Sequence, residues 1–379
     1  MNSFINLFKN MSYKRIISLS LFVLFIVASI VFVQHNHFLY ERPIAKVLET
    51  ELVDKTATEN PFGHKDALFT QRLIAEIKNG EEKGRLIHLV NEFSVSKAYD
   101  HEFEAGDELF VSIDSENAEN GDIHGSIQDV KRDTYLLYVA WVFVLVLLIV
   151  GRKQGLFSII SLVINAILLS YALDIYLSNP HWSLLLISSF AVVLFTVISL
   201  LLVNGLNEKT YAAIIATLLG TFASLFIAWL VLWLTTEKGL RYEELQFITR
   251  PYQVVFLTGL FLGSLGAVMD IAITMSSSIF NMIEKNPKIP VKALIKSGME
   301  IGKDIMGTMT NILFFVYISG SIPILILYFK NGSPLGFALS MNLSLELARA
   351  LAGGIGIVLT IPIGLYVTIF FIKRKRAGL

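Results

Sequence analysis

Asp270 stands inside the apolar stretch Tyr252–Ile283, and a line of glycines leads up to it. Gly259, Gly263, Gly266, Asp270, Thr274 and Ser277 follow one another at steps of 4, 3, 4, 4 and 3, so on a helix they share one face. A carboxylate in hydrocarbon costs at least about 2.5–3.5 kcal/mol and so demands a proton, a partner or water. Small residues beside it let another helix approach closely. The chemistry open to this pattern is uptake and release of a proton or cation inside a membrane bundle, with structural pairing as its equal rival. If the helix runs its full length, Asp270 lies mid-membrane. If the span stops near Met269, the carboxylate lies at the inner edge and costs little.

A second polar face lies downstream. Asp304, Thr308 and Asn311 recur at i, i+4 and i+7, with Gly307 adjacent. Gly320 and Pro323 predict a kink at the far end of that helix. Gly353, Gly354, Gly356, Thr360, Pro362 and Gly364 mark the last apolar stretch. There they allow either unwound backbone along a pathway or plain close packing, of which packing is the commoner. Ala213, Ala216, Gly220 and Ser224 form another small-residue stripe, read as packing.

Composition places these faces in a membrane. Apolar residues make up 54% of 379 positions and mean hydropathy is +0.63. The sequence predicts spans at Ile16–Val33, Tyr135–Val150, Leu156–Leu177, Trp182–Val203, Tyr211–Leu234, Tyr252–Ile283, Ile305–Phe329 and Leu347–Ile372. The first is read as an uncleaved anchor, because no small-residue cleavage site follows it. With the N-terminus inside, the cytoplasmic segments carry 15 Lys and Arg against 5 in the short outer loops and helix edges. Both termini are therefore expected in the cytoplasm. The fold class is an all-α transmembrane bundle of about eight helices, with one small extracytoplasmic mainly-β domain between helices 1 and 2. The expected divisions are 1–33 for the tail and anchor, 34–133 for the outer domain and 134–379 for the membrane domain.

The outer segment holds 21 acidic and 11 basic residues, which the rest of the chain balances to a net charge of zero. Short alternating runs at Ile44–Leu52, Leu68–Ile77, Leu86–Val95, Glu108–Ile113 and Ile123–Val130 predict strands. They must close into a barrel or stack as a sandwich to hide their edges. Thr56–Lys65, with Pro61 and Gly63, reads as an exposed loop. The inner stretch Glu284–Lys303 reads as an amphipathic helix at the membrane surface, lying on lipid or receiving a partner through Lys292, Ala293, Lys296 and Gly298.

All seven histidines fall on the outer side, at 35, 37, 64, 88, 101, 124 and 181, without a helical metal-ligand spacing. The plainer reading is surface histidines, and no metal site is expected. Cysteine is absent, so disulfides and thiolate sites are excluded. No phosphate loop, His-Glu-x-x-His or Gly-x-Ser-x-Gly motif is present, so neither an enzyme nor a cofactor is expected.

Two blocks carry a resemblance. The first is Gly259-Leu-Phe-Leu-Gly263-Ser-Leu-Gly266-Ala-Val-Met-Asp270-Ile-Ala, and the second is Ser297-Gly298-Met-Glu-Ile-Gly302-Lys-Asp304-Ile-Met-Gly307-Thr-Met-Thr-Asn311. Both resemble the core of the YibE/F-like family of bacterial multi-pass membrane proteins, and the anchor with its outer domain matches a longer form of that family. The resemblance implies a multi-pass transporter of unassigned substrate in the bacterial plasma membrane, with a shorter homologue as a hetero-oligomeric partner. It points to Gly263, Gly266, Asp270, Gly298, Asp304, Gly307 and Asn311 as functional positions. The expected function is thus a transporter or permease subunit with Asp270 and Asp304 as ion-coupling groups. Gly259, Gly263, Gly266, Gly307, Thr308 and Asn311 would line the pathway or pack its helices. A permease driven by a separate ATPase subunit and a non-transporting envelope assembly or sensor protein are the rivals. Lipid is the surrounding partner, and nucleic acid is not expected.

Overall fold

The computed structural model describes residues 13–59, 63, 65–95, 97, 100–114, 123–179, 181–235, 240–242 and 251–377. The chain divides into two compact units, Met1–Val146 and Leu147–Leu379.

The first unit begins with α1 (Tyr13–Gln34) and a 3-10 turn (Asn36–Leu39). Five strands follow: β1 (Ile44–Glu59), β2 (Lys65–Ile77), β3 (Leu86–Ser94), β4 (Glu108–Ile113) and β5 (Ile123–Val130). They close into a barrel in the order β1-β2-β3-β5-β4, antiparallel throughout except for the parallel β3–β5 pair. This is the strand order of an OB-type Greek-key barrel, and closure removes the exposed edges that short strands otherwise carry. The period-two pattern sends Leu73, Ile87, Leu89, Leu109 and Val111 into its core. Asn79 fixes the β2–β3 end of the barrel by accepting from the Ile44 N–H at 2.6 Å and donating to the Tyr40 and Arg42 carbonyls at 2.9 Å.

β1 and β2 run on beyond the core as an exposed ribbon. Thr56 through Glu59, expected in a loop, instead pair with Leu68 through Lys65. A growing ladder satisfies backbone groups that an open loop would leave to water. Residues 60–62 and 64 of that expected loop lie outside the described residues.

α1 packs on the start of α2 (Asp133–Ser178). Phe22 and Phe25 meet the Trp141 ring edge-on at 5.8 Å, and the Trp141 indole N–H donates to Ser29 Oγ at 2.9 Å. α2 then reverses at Arg152, whose backbone sits at φ 49°, ψ −121°. Gly155 lies directly against the Leu147 carbonyl, whereas eight residues of straight helix would separate them by about 12 Å. The two arms correspond to the expected spans Tyr135–Val150 and Leu156–Leu177.

The second unit continues with α3 (Leu184–Asn204), α4 (Glu208–Thr235), α5 (Tyr252–Lys285), α6 (Val291–Ser319), α7 (Ile322–Lys330), α8 (Leu335–Asn342) and α9 (Ser344–Ala377). Among the described residues five helices are long and apolar enough to cross a membrane, and α6 with α7 makes a sixth if that pair, bent by 60°, is one span. The bend falls at Gly320 and Ser321, where a kink is expected. α5 forms the centre, with α4, α6 and α9 against it. Ile271, Met275, Ile279, Ile361 and Leu365 fill the seam.

The amphipathic stretch Glu284–Lys303 is not a separate surface helix. Residues from Val291 onward are the first turns of α6, and their apolar face is already occupied. Leu294 is 1% exposed, and Gly298 rests against Ile279 and Leu365. The apolar periodicity found its partner within the chain instead of in lipid or another protein.

Candidate functional site

α5 has two unlike faces. One carries Phe261, Leu265, Val268, Ile271, Met275 and Ile279, all buried. The other carries Gly259, Gly263, Gly266 and Asp270, all exposed, with Thr274 and Ser277 partly buried further along. The hundred-degree step of the helix produces this split directly from the sequence. α5 is 34 residues long, so it extends about 51 Å, and Asp270 falls near its middle. The Asp270 carboxylate has no hydrogen bond or ion pair to any described residue.

α6 repeats the arrangement. Leu294, Gly298, Gly302 and Leu313 face inward, whereas Asp304, Gly307, Thr308 and Asn311 are exposed. The Thr308 hydroxyl donates to its own helix at the Ile305 carbonyl, 2.8 Å away. Asp304 and Asn311 have no described side-chain partner. Two contacts set the antiparallel register of α5 and α6: Gly298 beside Ile279, and Gly263 beside the Tyr317 hydroxyl. These put Asp270 at the height of residues 307–310 on α6. Gly307 and Thr308 therefore share the depth of Asp270, and Asp304 lies about one turn or more nearer the start of α6.

The glycines separate by environment. No described atom comes within 4 Å of the place a side chain would take at Gly259, Gly266 or Gly307. Gly263 is the exception, since a side chain there would displace Tyr317, whose hydroxyl is buried and unpaired among the described residues. Sequence reasoning missed Tyr317, because a tyrosine near a helix end reads as an interfacial anchor.

Within the chain α5, α6 and α9 do not surround a polar path. The seam shared by α5, α6 and α9 is mainly apolar, with one buried hydroxyl pair, Ser276 and Thr368 at 3.0 Å, and α9 is continuous through Pro362. Its glycines serve close packing: a Cβ added at Gly356 would stand 3.1 Å from both Ser224 and Val268, and one at Gly364 would stand 3.4 Å from Met275. Gly220 of α4 meets Thr360 in the same way, as the packing reading of that stripe expects. Thr360 and Thr368 turn their hydroxyls onto their own helix at 2.7 and 2.6 Å. Asp270 and Asp304 thus face away from this seam. At the start of α6, Lys292 and Lys296 are exposed and Ala293 partly so, but Gly298 is inside.

A second polar cluster, also unforeseen, lies in the first unit. Lys131, its side chain 1% exposed, donates to Glu108 at 2.9 Å, Asp133 at 3.0 Å and the Val33 carbonyl at 3.1 Å. His37 Nε2 meets Glu108 at 2.9 Å, while Asn36 and Tyr40 each donate to Asp133 at 2.9 Å. The cluster joins the end of α1, the barrel and the start of α2. Burial works to raise the Glu108 carboxyl, yet Lys131 and His37 hold it below the usual carboxylate range. Burial likewise pulls Lys131 down, and Glu108 and Asp133 overcome it, raising the ammonium above the ordinary lysine value. No motif spacing announces this cluster, because its members come from positions 33 to 133.

Among the described residues no group of three or more His, Asp or Glu side chains is arranged to hold a metal ion. Comparison with curated proteins and with solved structures finds no match. Residues 38–130 match the YibE/F family N-terminal domain, and residues 139–374 match the YibE/F-like protein family. With its apolar helices the chain is a membrane protein, and it belongs to the YibE/F-like family.

Proposed function

We propose that this chain is a subunit of a plasma-membrane transporter whose polar path runs along the outer faces of α5 and α6 and is completed by another chain. The observation that carries the reading is Asp270. It sits halfway along a long apolar helix, on a glycine-lined face that is open at Gly259 and Gly266 and met by Tyr317 at Gly263, without a partner among the described residues. A carboxylate so placed in hydrocarbon needs water, a proton or a second protein surface. In this reading Asp270 takes up a proton or cation, Asp304 forms a second charge step toward the inner mouth, and Thr308 and Asn311 line the route. A shorter family member supplies the missing wall. Counting α1, the two arms of α2 and the α6–α7 pair as crossings gives eight. Both termini are then cytoplasmic, and the barrel is extracytoplasmic. The substrate class is an ion or an ion-coupled solute.

The test is gradient dissipation in sealed vesicles carrying the protein and its shorter homologue, read with a pH-sensitive dye. Asp270→Asn keeps the shape and removes the charge, so flux should fall to the background of empty vesicles at equal protein content. Flux equal to that of the unaltered protein would sink the proposal.

The ATPase-driven alternative loses its structural support, because the apolar face at the start of α6 is packed within the chain. The sensor reading gains some from the Lys131 cluster, which ties the barrel to α1 and α2. Deleting residues 34–133 separates it from transport: activity that survives makes the barrel accessory.

A further inference from the structure

Barrel closure brings together two histidines that the sequence keeps 36 residues apart. β3 and β5 are parallel neighbours, and His88 and His124 are register partners across them. Ile87, Leu89 and Ile123 point inward and are buried, so the two imidazoles stand on the outer surface of the barrel. Their ring centres are 5.5 Å apart, with planes inclined by 33°. Other histidines of this unit are engaged: His35 with the Val31 carbonyl, His37 with Glu108, and His101 with Arg132. The imidazoles of His88 and His124 make no hydrogen bond to any described residue, so their ring nitrogens are open to a ligand.

We propose that His88 and His124 form a two-histidine binding site for a late first-row divalent cation such as Zn²⁺, Ni²⁺ or Cu²⁺, with water in the remaining positions. The ring centre of a metal-bound imidazole lies about 3.2 Å from the ion, given a metal–nitrogen bond of about 2.0–2.1 Å. Centres 5.5 Å apart then subtend an angle of about 120° at a shared ion, close to that of a four-coordinate site. Neutral imidazole suits zinc, nickel and copper, whereas magnesium and calcium prefer all-oxygen ligand sets. With no cysteine in the chain, a thiolate site cannot compete for the same ions. The site is independent of the transport reading.

The experiment uses the full chain in detergent, purified through a tag that contains no histidine. Calorimetric titration with zinc chloride and with nickel chloride should show one ion per chain, and magnesium chloride should give no binding heat. His88→Ala and His124→Ala should each weaken binding by roughly tenfold or more, since even loss of a ligand's outer partner costs about that much. His101→Ala should leave binding unchanged. Circular dichroism checks that the surface substitutions preserve the fold. Absence of binding by the unaltered chain, or loss on only one of the two substitutions, would overturn the proposal. So would equal loss with His101→Ala.

Discussion

Two pairs of carboxylates in this chain live under opposite conditions. Glu108 and Asp133 share one buried lysine, a histidine, an asparagine and a tyrosine, and each oxygen that matters has a donor. Asp270 and Asp304 lie on long apolar helices and have no partner among the described residues. The glycines divide the same way. Gly298, Gly302 and Gly353 press against Leu365, Ile361 and Leu313, whereas Gly259, Gly266 and Gly307 face open space. A polar or small residue that the chain satisfies from within holds the fold together. One that it leaves unsatisfied marks a surface awaiting something the chain does not supply.

The contrast can be broken first at its satisfied end. Lys131→Met should strand two carboxylates and the Val33 carbonyl, lowering stability by about 3 kcal/mol, the scale for breaking a buried ion pair from one side. Thermal unfolding in detergent reads this, and an unchanged midpoint would mean the cluster is idle. Gly302→Leu should come next, at about 1–3 kcal/mol, because Ile361 already fills the space and overpacking forces backbone to move. Acid tests the same cluster more gently. The folded value of Glu108 lies below its unfolded one, so its contribution is complete above the usual carboxylate range, near pH 4, and fades as pH falls through the folded value. The melting midpoint should therefore drop on acidification in that window, and Glu108→Gln should flatten the drop. At the unsatisfied end, Asp270→Asn and Gly266→Leu should each move stability by no more than about 0.5 kcal/mol. If Gly266→Leu destabilises the isolated chain as much as Gly302→Leu, the two faces are not different after all. If it instead abolishes recovery of the shorter homologue on purification, the outer face is the interface.

Local periodicity made most of the elements legible. The alternation in Leu86–Val95 and Glu108–Ile113 gave β3 and β4 nearly to the residue, and Gly320 with Pro323 marked the 60° bend. It also told which side of α5 carries Asp270. Whether that side is covered depends on neighbours far along the chain, and no spacing reports those. The same limit explains Leu294 and Gly298: their shared face was visible, but their partners Ile279 and Leu365 were not. His88 and His124 meet only because β5 inserts between β3 and β4.

The contacts of α1 bear on how the chain is processed. Cutting after Gln34 would take Ser29 Oγ from the Trp141 indole and the Val33 carbonyl from the Lys131 ammonium, removing one acceptor from each donor. A peptidase that released this helix would thus release part of the tertiary structure. Once the charge cluster has formed, loss of this helix should expose the rest of the chain to quality-control proteolysis.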